Sequence, residues 1–272
     1  MKIQFFLISC VLLLAAPVFA QSPDCHEVDR VKMAKMLGAP DLAGALSVEA
    51  ASCNDLLLGE GVGFRLSNET SQVYGGTRSE VAVDFPFLEG EIIRYTWEMK
   101  IPTDLKGDEP LNRWWLLSQW HDQPDRRINE KWDGFPVRSP PVAIFMEIHN
   151  GSPGIGVIMN GRDKRSWHKV ALGVWLKVSM TLHWSTKDDG EAEFHIAGYP
   201  EFDLKVKGGN MHNSYQHYLK FGQYRHSKIK TDSIIYFKKL SIEKIASGSG
   251  STSERRVPNK NTLEKNALKE NN

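Results

Sequence analysis

The sequence predicts an all-β protein, a sandwich of two antiparallel sheets, on three observations. Between about residues 56 and 245, short stretches alternate apolar and polar residues at a period of two, the repeat of a half-buried strand. Gly, Pro, Asn and Asp separate these stretches, as turns between strands require. Leu176 to Trp184 is the cleanest case: Leu176, Val178, Met180, Leu182 and Trp184 face one way, and Lys177, Ser179, Thr181 and His183 the other.

In chain order, the 272 residues begin with a predicted secretory signal over 1–20. Lys2 supplies the positive start, an apolar run follows, and Val18-Phe19-Ala20 precedes Gln21 as a small-residue cleavage site. The run is short for a bilayer-spanning helix; a retained anchor is the alternative. Cys10 leaves with this leader, which assigns the mature protein to a secreted or periplasmic location. There Cys25 and Cys53 most simply pair, as a disulfide contributing about 3 kcal/mol. Residues 21–55 are predicted as an N-terminal helical segment tied by that bridge. Within it Val28, Val31 and Leu37 recur near helical spacing, and Gly38-Ala39-Pro40 acts as a stop. The β domain follows over 56–245, with strands at Ile93–Ile101, Val142–Ile148, Leu176–Trp184 and Ile234–Ile242. Two loops, 104–113 and 122–141, interrupt it, the second long enough to serve as a lid. Residues 246–272 carry Ser-Gly repeats and then a polar, charged stretch, a composition that cannot bury a core and reads as a disordered tail.

The formal charge is +1, about neutral once Lys2 is removed, which excludes a broadly basic nucleic-acid binder. No second stretch is apolar enough to span a membrane. Any anionic partner is therefore held by a local cluster. Neither a calcium-loop pattern nor a His/Cys metal spacing is present.

Three stretches gather polar groups on one strand face. In Tyr218–Arg225, alternation puts Tyr218, Lys220, Gly222 and Tyr224 on one side and Leu219, Phe221 and Gln223 on the other. Gly222 would then leave room for a ligand to approach. In Trp114–His121, Gln119 and His121 are two apart and share a face with Trp115 and Leu117. In Thr77–Asp84, Arg78 and Glu80 share a face opposite Val81 and Val83. A surface ion pair would explain the last alone, at about 0–1 kcal/mol.

Together these residues resemble the three strand motifs of jelly-roll polysaccharide lyases, a grouping of alginate lyases, glucuronan lyases and heparin lyase I. Arg78-Ser79-Glu80 matches Arg-Ser-Glu, Gln119-Trp120-His121 matches Gln-x-His, and Tyr218 to Tyr224 matches Tyr-x-Lys-x-Gly-x-Tyr. The similarity spans about residues 56–245. Trp120 stands where alginate lyases usually carry a small aliphatic, and Arg225-His226-Ser227 lacks their glutamine. Both features speak against alginate as the substrate, while Ser118 to Asp122 and the spacing from Lys220 to Tyr224 most resemble the heparin lyase I-like and glucuronan lyase branch.

The resemblance implies a β-jelly roll with a concave substrate groove, a monomer acting on an anionic polysaccharide by β-elimination. No cofactor is required, and a structural calcium ion is left open. Such a reaction removes the C5 proton of a uronate and expels the group on O4. It needs donors that hold the carboxylate while a second negative charge develops. Gln119, His121 and Arg78 are the implied neutralisers. Tyr224 is the implied proton carrier, with Lys220 as the cation favouring its phenolate; His121 is the alternative base. Glu80, Trp120, Tyr218, His217, Arg225, Arg162 and Arg165 are expected to line the substrate, with Trp132 as a further stacking surface. Two other functions compete. A laminarinase-type hydrolase needs a Glu-x-Asp-x-x-Glu arrangement, whereas Glu80 and Asp84 have the wrong spacing and Glu147 stands alone. A lectin of the same fold would use the aromatic and basic face without needing a Tyr–Lys pair opposite Gln–His.

Overall fold

The computed structural model describes residues 30–49, 56–159 and 165–246, apart from the side chains of Arg165 and Ser166. The predicted signal, the Cys25–Cys53 pairing, Arg162 and residues 247–272 lie outside the described residues.

Two antiparallel sheets face each other across the core. The first runs β1 (Leu46–Val48), β5 (Gly76–Val83), β14 (Tyr218–His226), β7 (Trp115–His121), β8 (Val142–His149), β9 (Ser152–Met159) and β10 (Arg165–Lys169), with β4 (Gln72–Val73) paired on β5. The second runs β13 (Tyr199–Lys207), β12 (Glu191–Ile196), β11 (Trp175–His183), β6 (Ile92–Lys100), β15 (Ser233–Ile245), β3 (Val62–Leu66) and β2 (Leu56–Leu58). Strands far apart in the chain become neighbours, β5 beside β14 and β6 beside β15, the strand exchange of a jelly roll. The predicted sandwich is thus the observed fold. Its strand β11 buries Leu176, Val178, Met180 and Leu182 as the alternation requires. Phe221 of the first sheet meets Phe64 and Phe237 of the second, with ring centroids 5.7 and 5.4 Å apart. Each such aromatic pair adds about 0.5–1.5 kcal/mol beyond the area it buries.

The N-terminal segment departs from the predicted helix. Helix α1 (Arg30–Met36) packs Met33, Ala34 and the following Leu37 into the core, and Gly38 turns the chain at a φ of 74°. A 3-10 turn spans Pro40–Ala45, and from Leu46 the chain is extended as β1, paired with β5 from Leu46↔Val83 to Val48↔Val81. The helix thus ends at the predicted Gly38-Ala39-Pro40 stop, but the described remainder of the segment assigned to 21–55 is not α-helical. The unpaired edge of β5 instead draws Leu46–Val48 into the sheet, where Leu46 is buried.

A second departure concerns β7. Its register shifts against β8 between Leu116 and Ser118, and against β14 between Phe221 and Tyr224. Trp115, Leu117 and Trp120 consequently belong to the core, whereas Gln119 and His121 do not. The predicted common face for Trp115, Leu117, Gln119 and His121 is corrected by this bulge, which strict alternation cannot anticipate. Gly222 is also reassigned. At φ 134°, a Cβ there would lie 2.3 Å from the Ser79 carbonyl oxygen and 2.8 Å from Phe64, so glycine serves close strand packing rather than ligand access.

Candidate active site

Because β5, β14 and β7 are adjacent in the middle of one sheet, the three polar faces merge into one, directed away from the core. The register sets Arg78 opposite Tyr224, Glu80 opposite Gly222, Gln119 opposite Lys220 and His121 opposite Tyr218. Arg78, Glu80, Gln119, Tyr218 and Lys220 are all buried, and Tyr224 and His121 are partly exposed.

Side-chain contacts link them. Gln119 Nε2 donates to Glu80 Oε1 at 2.7 Å, and Arg78 Nε lies 3.3 Å from Glu80 Oε2. The Arg78 guanidinium carbon sits 4.6 Å from the centre of the Tyr224 ring, whose other neighbour is Trp114 at 4.8 Å. The Tyr224 hydroxyl donates to the Tyr74 carbonyl oxygen at 2.8 Å. Lys220 Nζ lies 4.9 Å from the Tyr218 ring. The cation against Tyr224 is therefore Arg78, where the resemblance had put Lys220.

One member of this cluster was missed. Glu49, just past β1, reaches over the face, and its Oε2 accepts from Arg78 Nη1 at 2.7 Å and pairs with Lys220 Nζ at 2.8 Å. Its place beside the motifs comes from β1–β5 pairing, which no local pattern in a presumed helix reveals. Burial opposes ionisation of Glu49, but the Lys220 ammonium and Arg78 guanidinium outweigh it and hold the carboxyl below its ordinary range. Glu80 behaves oppositely: full burial pushes it up, and Arg78 and Lys220 offset this only in part. Burial, then the charge of Glu49, also push the Tyr218 phenol up, so it stays protonated.

At the other end, His121 Nδ1 lies 2.9 Å from Asp122 Oδ1, and its Nε2 is 3.1 Å from the Arg138 carbonyl oxygen. Both ring nitrogens thus have an oxygen partner, which fixes the orientation of the imidazole. Asp122 is fully buried and accepts from Arg138 Nε at 2.6 Å. Burial raises its carboxyl, yet the bonds from His121 and Arg138 prevail and bring it down to about 2. Sequence reading passed over Asp122 as loop. The 122–141 loop covers this end, with half-exposed Trp132 edge-on to Tyr218 at 6.3 Å. Gln123 Nε2 fastens the loop base to the Gln216 carbonyl at 3.1 Å.

Three expected substrate-lining residues lie inside the protein instead. Trp120 is fully buried against Tyr95, ring centroids 5.3 Å apart, because the β7 bulge turns it inward. His217 is buried beside Trp184, its Nδ1 donating to the Tyr215 carbonyl at 3.0 Å and its Nε2 accepting from the His212 amide at 3.1 Å. Burial lowers its pKa to about 4. Arg225, one residue beyond Tyr224, alternates into the core, where its guanidinium stacks on Trp115 at 4.9 Å and donates to Ser233 Oγ at 3.1 Å. Arg165 falls on β10, with four strands between it and β5 and three between it and β14.

A sandwich that gathers guanidinium, ammonium, amide, imidazole and phenol on one sheet face is fitted to anionic ligands. The sequence profile of the polysaccharide lyase family matches residues 54–241, well over half the chain, and the protein belongs to that family. No curated protein matches the sequence. Among solved structures, the endo-β-1,4-glucuronan lyase of Trichoderma reesei is similar at 12% identity and TM-score 0.51, covering 72% of this chain and 86% of its own. The alginate lyase Aly36B is similar at 14% identity and TM-score 0.51, covering 73% and 87%. The marine alginate lyase AlyA1 of Zobellia galactanivorans is similar at 13% identity and TM-score 0.51, covering 78% and 99%. These likenesses establish the jelly-roll lyase fold.

Proposed function

We propose that this polysaccharide lyase is a secreted or periplasmic enzyme that cleaves a uronate-containing polysaccharide by β-elimination. Arg78, Gln119 and His121 hold the uronate carboxylate and neutralise the charge that grows on it. Tyr224 takes the C5 proton, the C–H electron pair becomes the C4–C5 double bond, the C4–O4 bond breaks, and a proton returns to O4. The reaction consumes no redox equivalent and no cofactor.

The observation that carries this reading is the position of Arg78. Its guanidinium faces the Tyr224 ring on one side and Glu80, the partner of Gln119, on the other. A carboxylate held there has the proton carrier and the neutralisers around it. Arg78 also stands beside the negative charge that forms as Tyr224 exchanges its proton. Tyr224 suits the carrier role better than its neighbours do: Tyr218 is buried and kept protonated, and His121, tied through Nδ1 to Asp122, gives its Nε2 to the uronate carboxylate in exchange for the Arg138 carbonyl. Lys220, which shares one carboxylate oxygen of Glu49 with Arg78, completes the positive lining next to Tyr218 and meets the uronate carboxylate beside Arg78.

The decisive experiment offers the purified protein glucuronan, alginate and glycosaminoglycans and follows the ultraviolet absorbance of the conjugated unsaturated uronate. Elimination produces that absorbance. Reducing ends without it would mean hydrolysis, and binding with neither would mean a lectin.

A further inference from the structure

The Arg78–Lys220 pair is already occupied by a carboxylate from the chain itself. We propose that Glu49 is an internal stand-in for the substrate carboxylate and makes the site selective for uronates; this rests on the lyase reading above. A single oxygen, Glu49 Oε2, meets both cations at 2.7 and 2.8 Å. The side chains of Arg78 and Lys220 are only 9% and 7% exposed, so little solvent is at hand to compensate the loss of that partner. Glu49 is the most accessible of the three, at 24%. Its backbone is fixed to the sheet by an N–H bond to the Glu80 carbonyl at 2.8 Å, so the carboxylate alone has to withdraw.

The charge balance decides what can displace it. A uronate brings one carboxylate for the one removed, and both buried cations stay paired. A neutral sugar entering the same place would leave Lys220 without its carboxylate and Arg78 with Glu80 alone. Glu49 thus filters by charge, and it taxes every productive binding event by the population of the closed state.

Glu49→Gln keeps the volume and removes the charge. For the uronan that the native enzyme cleaves, KM is expected to fall about tenfold, the factor imposed by a closed state populated about 10:1. Acetate should then raise the melting temperature of the variant and compete with substrate, while leaving the native protein unaffected. A KM that is unchanged or higher, with no response to acetate, overturns the proposal. So does a collapse of kcat at constant KM, which would give Glu49 a part in the chemistry. Should Glu49→Gln fail to fold, Glu49→Asp, one methylene too short to bridge both cations, carries the same test: a lower KM supports the proposal and an equal or higher one refutes it. The acetate response reads the carboxylate site without turnover. Failure of the lyase reading is seen separately, as a native protein that forms no unsaturated product from any uronan.

Discussion

Replacing Tyr224 by Phe deletes one hydroxyl and leaves the ring where it is. The contacts with Arg78 at 4.6 Å and Trp114 at 4.8 Å belong to the ring and persist. What is lost from the folded protein is one partly exposed hydrogen bond, to the Tyr74 carbonyl. Such a bond contributes about 1 kcal/mol at most, equivalent to about 2–4 °C in melting temperature for a domain of this size. If the hydroxyl carries the proton between C5 and O4, its removal costs about 10²- to 10⁴-fold in turnover. The two quantities separate widely. Initial rates of unsaturated-uronate formation, measured beside a melting curve, read both. Turnover within a few fold of the native rate would remove Tyr224 from the chemistry. A lost rate accompanied by a drop in melting temperature far beyond that range would make Tyr224 a structural residue.

Other substitutions test other parts of the site and core. Gln119→Ala removes the donor to Glu80 and should lower kcat about 10²- to 10³-fold; a rise in KM alone would make Gln119 a binding residue. Trp120→Ala empties a core position and should cost about 3–5 kcal/mol in denaturant unfolding, whereas an unchanged midpoint with a raised KM would return Trp120 to the substrate. His217 has its pKa lowered from 6.5 to about 4 by burial, so the unfolded chain binds the proton first. Stability is then full above pH 6.5 and falls between 6.5 and 4 as acid is added, by about 3 kcal/mol in all. His217→Gln should flatten that limb of the stability–pH curve, and an unchanged limb would assign it to other groups.

Much of the site was legible because strand alternation is a local rule. Arg78 with Glu80, Gln119 with His121, and Tyr218, Lys220 and Tyr224 each share a face through a spacing of two, and the structure keeps all three sets. Trp120 and His217 show where the rule stops. A residue type that suits sugar stacking or proton transfer also suits a core, and only the packing of two sheets separates the uses. Glu49 and Asp122 were invisible for a related reason: their partners lie on other strands or in a loop whose path local pattern does not set.

By itself the sequence determined the sandwich, its turns and the chemistry carried by each of the three central strands. Tertiary structure decided which strands are neighbours, and hence that Arg78 rather than Lys220 faces Tyr224. It also decided which aromatics are buried, and that Glu49 occupies the cationic pair. The physical reason is reach: alternation is set by covalent geometry within a few residues. Strand order, bulges and ion pairs depend on free-energy balances between segments distant in the chain, as when the open edge of β5 captured β1 and brought Glu49 with it.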